Sequence, residues 1–256
     1  MRNNLTYIRV QTNSLPSHCY QTATPPQENQ IDIETYFNPT YLNPTPVVIS
    51  SQATLDAQVC DFSWPQTDSA PQGYTHFLGN VTGVVGISFT GVPIMDGNSE
   101  FDLDPFYPKP NVPGAQLQSK SDFCLGSVTS QVPWYHYSSF SPCMSTSPQQ
   151  LSSQSQACSS FQNCATATSS YMTSGVQKTL QAVGIALDGH IIYGPWKDTS
   201  NLWGYCDVDV CNGLQVNGAY GYAMTTFHPY TVGCWGPGNQ PHIQQSCSTN
   251  PNKCTP

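Results

Sequence analysis

An internal repeat constrains the fold of this chain more than any other feature of its sequence. Residues 85–95 align without gaps to residues 183–193, with valine, glycine, isoleucine, glycine and isoleucine at matching places. Each copy is a short β-branched apolar run, a glycine turn and a second apolar run, which predicts two buried strands joined by a turn. The repeat therefore predicts one β-rich domain made of two related halves that pack face to face.

The remaining pattern favours an all-β fold with little helix. The strand candidates are short, β-branched and bounded by Gly, Pro or Asp. They are residues 5–11, 81–89, 91–95, 183–187 and 191–193. A cysteine-bearing segment with two tyrosines two residues apart follows each copy of the repeat, Tyr135 and Tyr137 first, then Tyr220 and Tyr222. Tyrosines at this spacing share one face of a strand, so packing explains them as well as chemistry does.

Composition divides the chain into three parts. Residues 1–73 form a Pro/Thr-rich arm, predicted to begin with a strand and to continue as extended chain, because proline fixes φ and lacks an N–H donor. Residues 74–238 contain the β-rich domain, and residues 239–256 form a cysteine-containing tail. The arm is interpreted either as a linker or as an extended segment that carries O-glycans or docks, on its own body or on a neighbouring chain.

Eleven scattered cysteines without a CxxC pair predict structural disulfides made in an oxidising compartment. Because eleven is odd, one cysteine is expected to be free or to pair with another chain. The cysteines are Cys19, Cys60, Cys124, Cys143, Cys158, Cys164, Cys206, Cys211, Cys234, Cys247 and Cys254. Sequons at Asn4 and Asn80 predict N-linked glycans and agree with export. The first ten residues lack the apolar core of a signal peptide, so a different start of the gene product is expected.

The charge balance argues against several classes of partner. Only 9% of the residues are charged and the formal net charge is -8. A nucleic-acid binder needs a basic face that releases counterions from phosphates, so nucleic acid is not an expected partner. No apolar run reaches the length of about 18 residues that a bilayer-spanning helix needs.

The motifs downstream of each repeat resemble the YHYH domain family. The resemblance rests on residues 91–94 and 134–143 in the first half and on residues 184–195, 209–213 and 227–236 in the second. It covers roughly residues 74–238 and implies a secreted or cell-surface domain without an established activity. The family's Tyr-His-Tyr-His segment reads Tyr-His-Tyr-Ser at 135–138 and Tyr-Gly-Tyr-Ala at 220–223, so only His136 of the four histidines remains. This departure indicates a retained scaffold with a decayed site.

A transition-metal site is the strongest chemical alternative. It would need ligands that converge from distant positions, and the candidates are His136, His190, His228 and Asp188. The competing interpretation makes the histidines core or turn residues and lets Asp188 hydrogen-bond the backbone of its own turn. Asp209 is likewise expected to be a solvated turn acid.

The favoured function is a secreted, disulfide-bonded, glycosylated structural protein that assembles with copies of itself into an extracellular filament or surface layer, with no cofactor beyond its glycans. The low charge leaves little self-repulsion to oppose such an assembly. The first alternative is a secreted metal-binding protein or metal-dependent enzyme. The second is a carbohydrate-binding or adhesive module that uses an exposed aromatic such as Trp196 or Trp203.

Overall fold

The computed structural model describes residues 6–22, 24–37, 83–97, 121–145, 170–173, 176–204, 207–209 and 211–236. Within these residues, helix is limited to the 3-10 turn Pro142–Met144, one turn at 170–173 and a 3-10 position at 207. The rest is strand and loop, which confirms the predicted all-β fold. Asn4, Asn80 and the tail at 239–256 lie outside the described residues.

Ten strands occur in the described part of the chain. The first two are β1 (Thr6–Thr12) and β2 (Ile31–Phe37), which pair with each other as an antiparallel two-stranded sheet. The other eight are β3 (Val84–Ser88), β4 (Pro93–Met95), β5 (Gly126–Ser127), β6 (His136–Tyr137), β7 (Ala182–Ala186), β8 (Ile191–Tyr193), β9 (Gly213–Val216) and β10 (Ala219–Ala223). The apolar runs singled out in the sequence correspond to β1, β3, β4, β7 and β8.

The eight later strands form one sheet in the order β5-β6-β4-β3-β7-β8-β10-β9. In the first half, β3 and β4 form an antiparallel hairpin, β4 pairs with β6 in parallel, and β6 pairs with β5 antiparallel. The second half repeats these three pairings with β7, β8, β10 and β9. The sheet is therefore the same four-strand unit used twice, with the two copies running outward from its centre.

The two halves meet edge to edge through β3 and β7, so the expected face-to-face packing is wrong. Ile87 pairs with Ile185, its own counterpart in the repeat. On either side of this pair, Gly86 pairs with Ala186 and Ser88 pairs with Gly184. In the repeat, Gly86 corresponds to Gly184 and Ser88 to Ala186, so exchanging the two halves turns one of these pairs into the other. A local two-fold axis thus passes through the isoleucine pair. Joining the two free strand edges satisfies backbone groups that would otherwise be left without partners.

Two glycines allow the central strands to approach. A Cβ on Gly86 would lie 2.7 Å from the carbonyl oxygen of Ile185, and a Cβ on Gly184 would lie 2.7 Å from that of Ile87. Both obstacles are backbone atoms of the opposing strand, which cannot rotate away. The repeated Val-Gly-Ile of the sequence is therefore the feature that makes this junction.

The N-terminal arm begins with the expected strand and docks on the body of its own chain. Thr12 donates a hydrogen bond from Oγ1 to the carbonyl of Gly91 in the β3–β4 turn. The carbonyl of Tyr36 lies so close to Gly189, in the β7–β8 turn, that a Cβ there would overlap it. Because Gly91 and Gly189 are counterparts in the repeat, the β1–β2 hairpin contacts both halves across the local axis.

The hydrophobic core has one part that both halves share and one part within each half. Its largest cluster joins both halves and includes Val85, Ile94, Val183 and Ile192 from the central hairpins. A second cluster surrounds Tyr135 and Tyr137 in the first half, and a third lies around Leu214 and Phe227 in the second. Each half thus has an apolar centre of its own beside the shared core.

Alanine at the central glycines should destabilise the protein. We expect Gly86→Ala and Gly184→Ala each to lower the free energy of unfolding by about 1–3 kcal/mol, because the added methyl group meets rigid backbone in a close-packed sheet. Gly194→Ala is the matched control, since its Cβ would meet nothing closer than 3.4 Å. Denaturant unfolding of the three variants tests this, and equal losses at all three positions would contradict it.

Candidate functional site

Each half of the sheet buries a matched group of polar and aromatic side chains beside a disulfide. Cluster 1 consists of Asp122, Tyr135, Tyr137 and His18 with the disulfide Cys124–Cys143. Cluster 2 consists of Asp209, Tyr220, Tyr222, His190 and Asp188 with the disulfide Cys211–Cys234. Both disulfides agree with the expected disulfide-bonded protein.

A buried aspartate organises the start of each cluster. Asp122 accepts hydrogen bonds on Oδ1 from the backbone N–H groups of Cys124 and Gly126, at 2.8 and 3.1 Å. Asp209 makes the same two contacts in the second half, at 2.9 and 2.7 Å. Asp122 and Asp209 are almost fully buried, at 2% and 1% exposure. Each aspartate therefore holds the loop that carries the first cysteine of its disulfide, and the prediction that Asp209 is solvated is wrong.

A tyrosine hydroxyl donates a further hydrogen bond to each buried aspartate. Tyr135 donates to Asp122, with both carboxylate oxygens at 3.0 Å, and Tyr220 donates to Oδ2 of Asp209 at 2.7 Å. Each ring passes directly over the glycine two residues after the disulfide cysteine, where a Cβ would overlap it. Burial raises the pKa of Tyr135 far above its usual value, and Tyr137 and the Asp122 carboxylate raise it further. Tyr135 is thus a neutral donor in the folded protein.

The paired tyrosines pack edge to face in both clusters. The ring centroids of Tyr135 and Tyr137 are 5.7 Å apart at 78°, and those of Tyr220 and Tyr222 are 5.5 Å apart at 83°. Such pairs contribute about 0.5–1.5 kcal/mol beyond their area burial. The tyrosine spacing singled out in the sequence is a packing device in both halves.

The imidazole of cluster 2 comes from the repeat itself. His190 packs edge to face on Tyr220 and Tyr222, at 5.2 and 5.8 Å between centroids. Its Nδ1 lies 2.9 Å from Oδ2 of Asp188, which also accepts the hydroxyl of Tyr222. Asp188 accepts the backbone N–H of His190 on its other oxygen, at 3.2 Å, as expected for a turn aspartate.

The imidazole of cluster 1 comes from the arm. Valine stands at position 92, where the second half has His190. His18 fills this role: its Nε2 lies 2.6 Å from the hydroxyl of Tyr137 and its Nδ1 lies 2.8 Å from the carbonyl of Cys19. Because a carbonyl only accepts, Nδ1 carries the proton and Nε2 accepts from the tyrosine. The backbone N–H of Gln21 also donates to Asp122, at 3.2 Å, so the first half is completed by the arm.

The histidines and the aspartate proposed as metal ligands do not converge. His190 and Asp188 are neighbours, as described above. His136 is instead held in the sheet by Ser127 Oγ and the carbonyl of Trp134, each at 3.0 Å. Burial lowers the pKa of His136, and it lowers that of His228 to about 3. Among the described residues, ligand atoms converge in one group alone, His18 with Cys124 and Cys143.

The tryptophans and cysteines singled out in the sequence are located as follows. Trp196 and Trp203 are 7% and 8% exposed, so neither is the exposed stacking aromatic that the adhesive alternative needs. Cys19 is a free, exposed thiol. The other six cysteines lie outside the described residues: Cys60, Cys158, Cys164, Cys206, Cys247 and Cys254. Within the described ranges, no helix has the length and apolar character to cross a membrane.

Comparison with known proteins adds no relative to this picture. No protein-family model matches the chain, and neither a curated protein nor a solved structure matches it. The resemblance to the YHYH domain family therefore stays a prediction from the sequence.

Loss of one tyrosine hydroxyl should destabilise either half. We expect Tyr135→Phe and Tyr220→Phe each to lower the free energy of unfolding by about 1.5–3 kcal/mol, because a buried carboxylate loses a hydrogen bond. Tyr7→Phe, at a hydroxyl on a ring that is 55% exposed, is the control and should change stability by less than about 0.5 kcal/mol. Denaturant unfolding measures all three. A neutral effect of the two buried substitutions would refute the structural role of the clusters.

Acid should weaken the fold through His228. The unfolded chain protonates this imidazole near its usual pKa of about 6.5, whereas burial lowers the folded pKa to about 3. Between these values the unfolded state binds more protons, so stability falls as the pH falls, by about 1.4 kcal/mol per pH unit for one proton. Below about pH 3 this contribution is fully lost. His228→Gln should flatten the pH dependence of unfolding between pH 6 and pH 4, and parallel curves for the two proteins would contradict the assignment.

Proposed function

We propose that this chain is a secreted, glycosylated structural protein that assembles with copies of itself into an extracellular filament or surface layer. The two disulfides among the described residues suit an oxidising compartment. Its low charge leaves little self-repulsion between copies. The sequons at Asn4 and Asn80 are the proposed glycan sites.

The two clusters support a scaffold rather than a reactive centre. Their carboxylates are buried and already accept hydrogen bonds from backbone N–H groups and tyrosine hydroxyls. The hydroxyl of Tyr222 donates to Asp188 and accepts from the N–H of Gly236 at 2.9 Å. Polar groups that satisfy one another in this way rigidify a core. The alternative of a metal-dependent enzyme on His136, His190 and His228 has no such geometric support.

The observation that carries the proposal is the insertion of the arm into cluster 1. His18 and Gln21 bring to the first half groups that complete it, and 45 residues, 38–82, separate the β1–β2 hairpin from the described start of the body at Gly83. A segment that completes a site in its own chain can complete the same site in a second copy when the connection is long enough. Exchange of arms would link copies through the same contacts that the arm makes within its own chain.

The outer surface of the arm offers further contacts between copies. Tyr7 and Tyr36 face each other across β1 and β2, with ring centroids 5.8 Å apart, and are 55% and 38% exposed. In the body of the chain, Phe89, which directly follows β3, is 61% exposed. Exposed aromatic side chains of this kind are enriched where proteins associate.

Size measurement on protein purified without reductant tests the assembly. We expect long regular polymers in negative-stain microscopy and a scattering mass far above the 27.9 kDa of one chain. Polymer formation should follow from packing and arm exchange and so should persist when an interchain disulfide through Cys19 is blocked by Cys19→Ser. A monodisperse monomer would overturn the proposed function.

A photo-cross-linker on the arm tests how copies would be joined. Tyr20→p-benzoylphenylalanine places the reactive group near Tyr135, since the two rings are 6.0 Å apart. Arm exchange predicts a ladder of cross-linked chains on a reducing, denaturing gel, with cross-links mapped to residues 134–137. Polymers whose cross-links stay within single chains would show that assembly is correct and arm exchange is wrong. Unsubstituted protein is the control for the illumination step.

A further inference from the structure

The disulfide of the first half has an imidazole beside it. Nδ1 of His18 lies 3.4 Å from Sγ of Cys124. A ring nitrogen of His18 and the sulfurs of Cys124 and Cys143 all lie within 4.8 Å of one another, and all three residues are buried. No second group of this kind occurs among the residues that the structure describes, so the disulfide Cys124–Cys143 differs from its counterpart Cys211–Cys234.

We propose that opening the Cys124–Cys143 disulfide converts this corner into a binding site for a thiophilic metal ion such as Zn²⁺. Two thiolates and one imidazole are a ligand set that Zn²⁺ takes in proteins, with a fourth position left for water. The site is independent of the assembly proposed above. It is also distinct from the histidine site considered from the sequence, because its ligands are His18, Cys124 and Cys143.

The conversion has a simple chemical balance. A phosphine reductant attacks one sulfur, the S–S bond breaks, and with one water the products are two thiols and the phosphine oxide. The phosphorus is oxidised by two electrons and the disulfide is reduced by two. Binding of Zn²⁺ then releases the two thiol protons to solvent, because the thiolate is the form that binds the metal.

The distances suit such a site. Bonds of about 2.1 Å to nitrogen and about 2.3 Å to sulfur at a tetrahedral angle place the two ligand atoms about 3.6 Å apart. The observed 3.4 Å between His18 Nδ1 and Cys124 Sγ is close to this value. After reduction, the sulfur of Cys143 needs to move only far enough to open the S–S bond.

The hydroxyl of Tyr137 lies beside the other ring nitrogen of His18 and can accept a hydrogen bond from it. In the oxidised protein, Nδ1 of His18 donates to the carbonyl of Cys19. A metal on Nδ1 requires the imidazole proton to sit on Nε2, which lies 2.6 Å from the oxygen of Tyr137. Metal-bound histidines usually donate their other N–H to an oxygen in this way. His18 thus has an acceptor ready for the tautomer that a metal needs.

The second half supplies an internal control. Its imidazole, His190, directs Nδ1 to Asp188 at 2.9 Å. In the described part of this half, no histidine, aspartate or glutamate side chain forms such a group with the sulfurs of Cys211 and Cys234. Reduction of that disulfide therefore yields two thiols without the third ligand.

Residue-resolved alkylation tests the site in the full-length chain. The protein is treated with graded amounts of a phosphine reductant, with and without Zn²⁺, and then with iodoacetamide, and each cysteine peptide is quantified by mass spectrometry. We expect Zn²⁺ to slow alkylation of Cys124 and Cys143 at least tenfold while Cys211 and Cys234 remain reactive. Equal protection of all four cysteines, or no protection of the first pair, would overturn the proposal.

Two matched histidine variants isolate the role of the imidazole. His18→Gln keeps a hydrogen-bonding side chain beside Tyr137 but removes the ligand, so protection of Cys124 and Cys143 should disappear. His190→Gln changes the counterpart residue in the other half and should leave that protection intact. Circular dichroism of the oxidised variants verifies that both are folded. Protection that survives His18→Gln would refute a metal site that uses His18.

Discussion

The antiparallel pairing of β3 with β7 is the contact on which the rest of the molecule depends. It joins two copies of a four-strand unit into one sheet and places Ile87 opposite Ile185 on a local two-fold axis. The turns that follow β3 and β7 then lie where the β1–β2 hairpin can contact both of them. A side chain at Gly86 or Gly184 would meet the backbone of the opposing strand, so this junction requires glycine at both positions. The glycine repeated in the sequence is therefore what allows the two halves to pair symmetrically.

Two buried aspartates impose a second level of order. Each binds the backbone of a cysteine-bearing loop and the hydroxyl of a tyrosine from the neighbouring strand, so a disulfide, a loop and a strand are held together at one point. Burying a carboxylate is costly unless it is fully hydrogen-bonded, which explains the dense shell around Asp122 and Asp209. The halves differ in the source of the imidazole, which is His190 of the repeat in one and His18 of the arm in the other, and this asymmetry makes the arm part of the fold rather than an appendage.

Some of the site was accessible to sequence reasoning and some was not. The motif Asp-x-Cys-x-Gly occurs at 122–126 and again at 209–213. The sequence therefore contained a signal for both aspartates, which is missed when only the cysteines and tyrosines are compared. For the tyrosine pairs the sequence left packing and chemistry equally open, and the structure shows edge-to-face packing in both halves. His18 had no signal at all, because it lies in a Pro/Thr-rich arm more than 100 residues from Tyr137, and no local pattern encodes such a contact.

The sequence by itself determined the all-β character, the two-fold repetition, the strands on either side of the glycine turns and the presence of disulfides. These properties follow from local periodicity, turn residues and residue chemistry, which act over a few positions at a time. Only the tertiary structure decided that the halves join edge to edge, that Trp196 and Trp203 are buried, and that His18 stands in for the histidine missing at Val92. Those outcomes depend on which backbone edges and side chains meet in space, and contacts between residues far apart in the chain carry no local pattern.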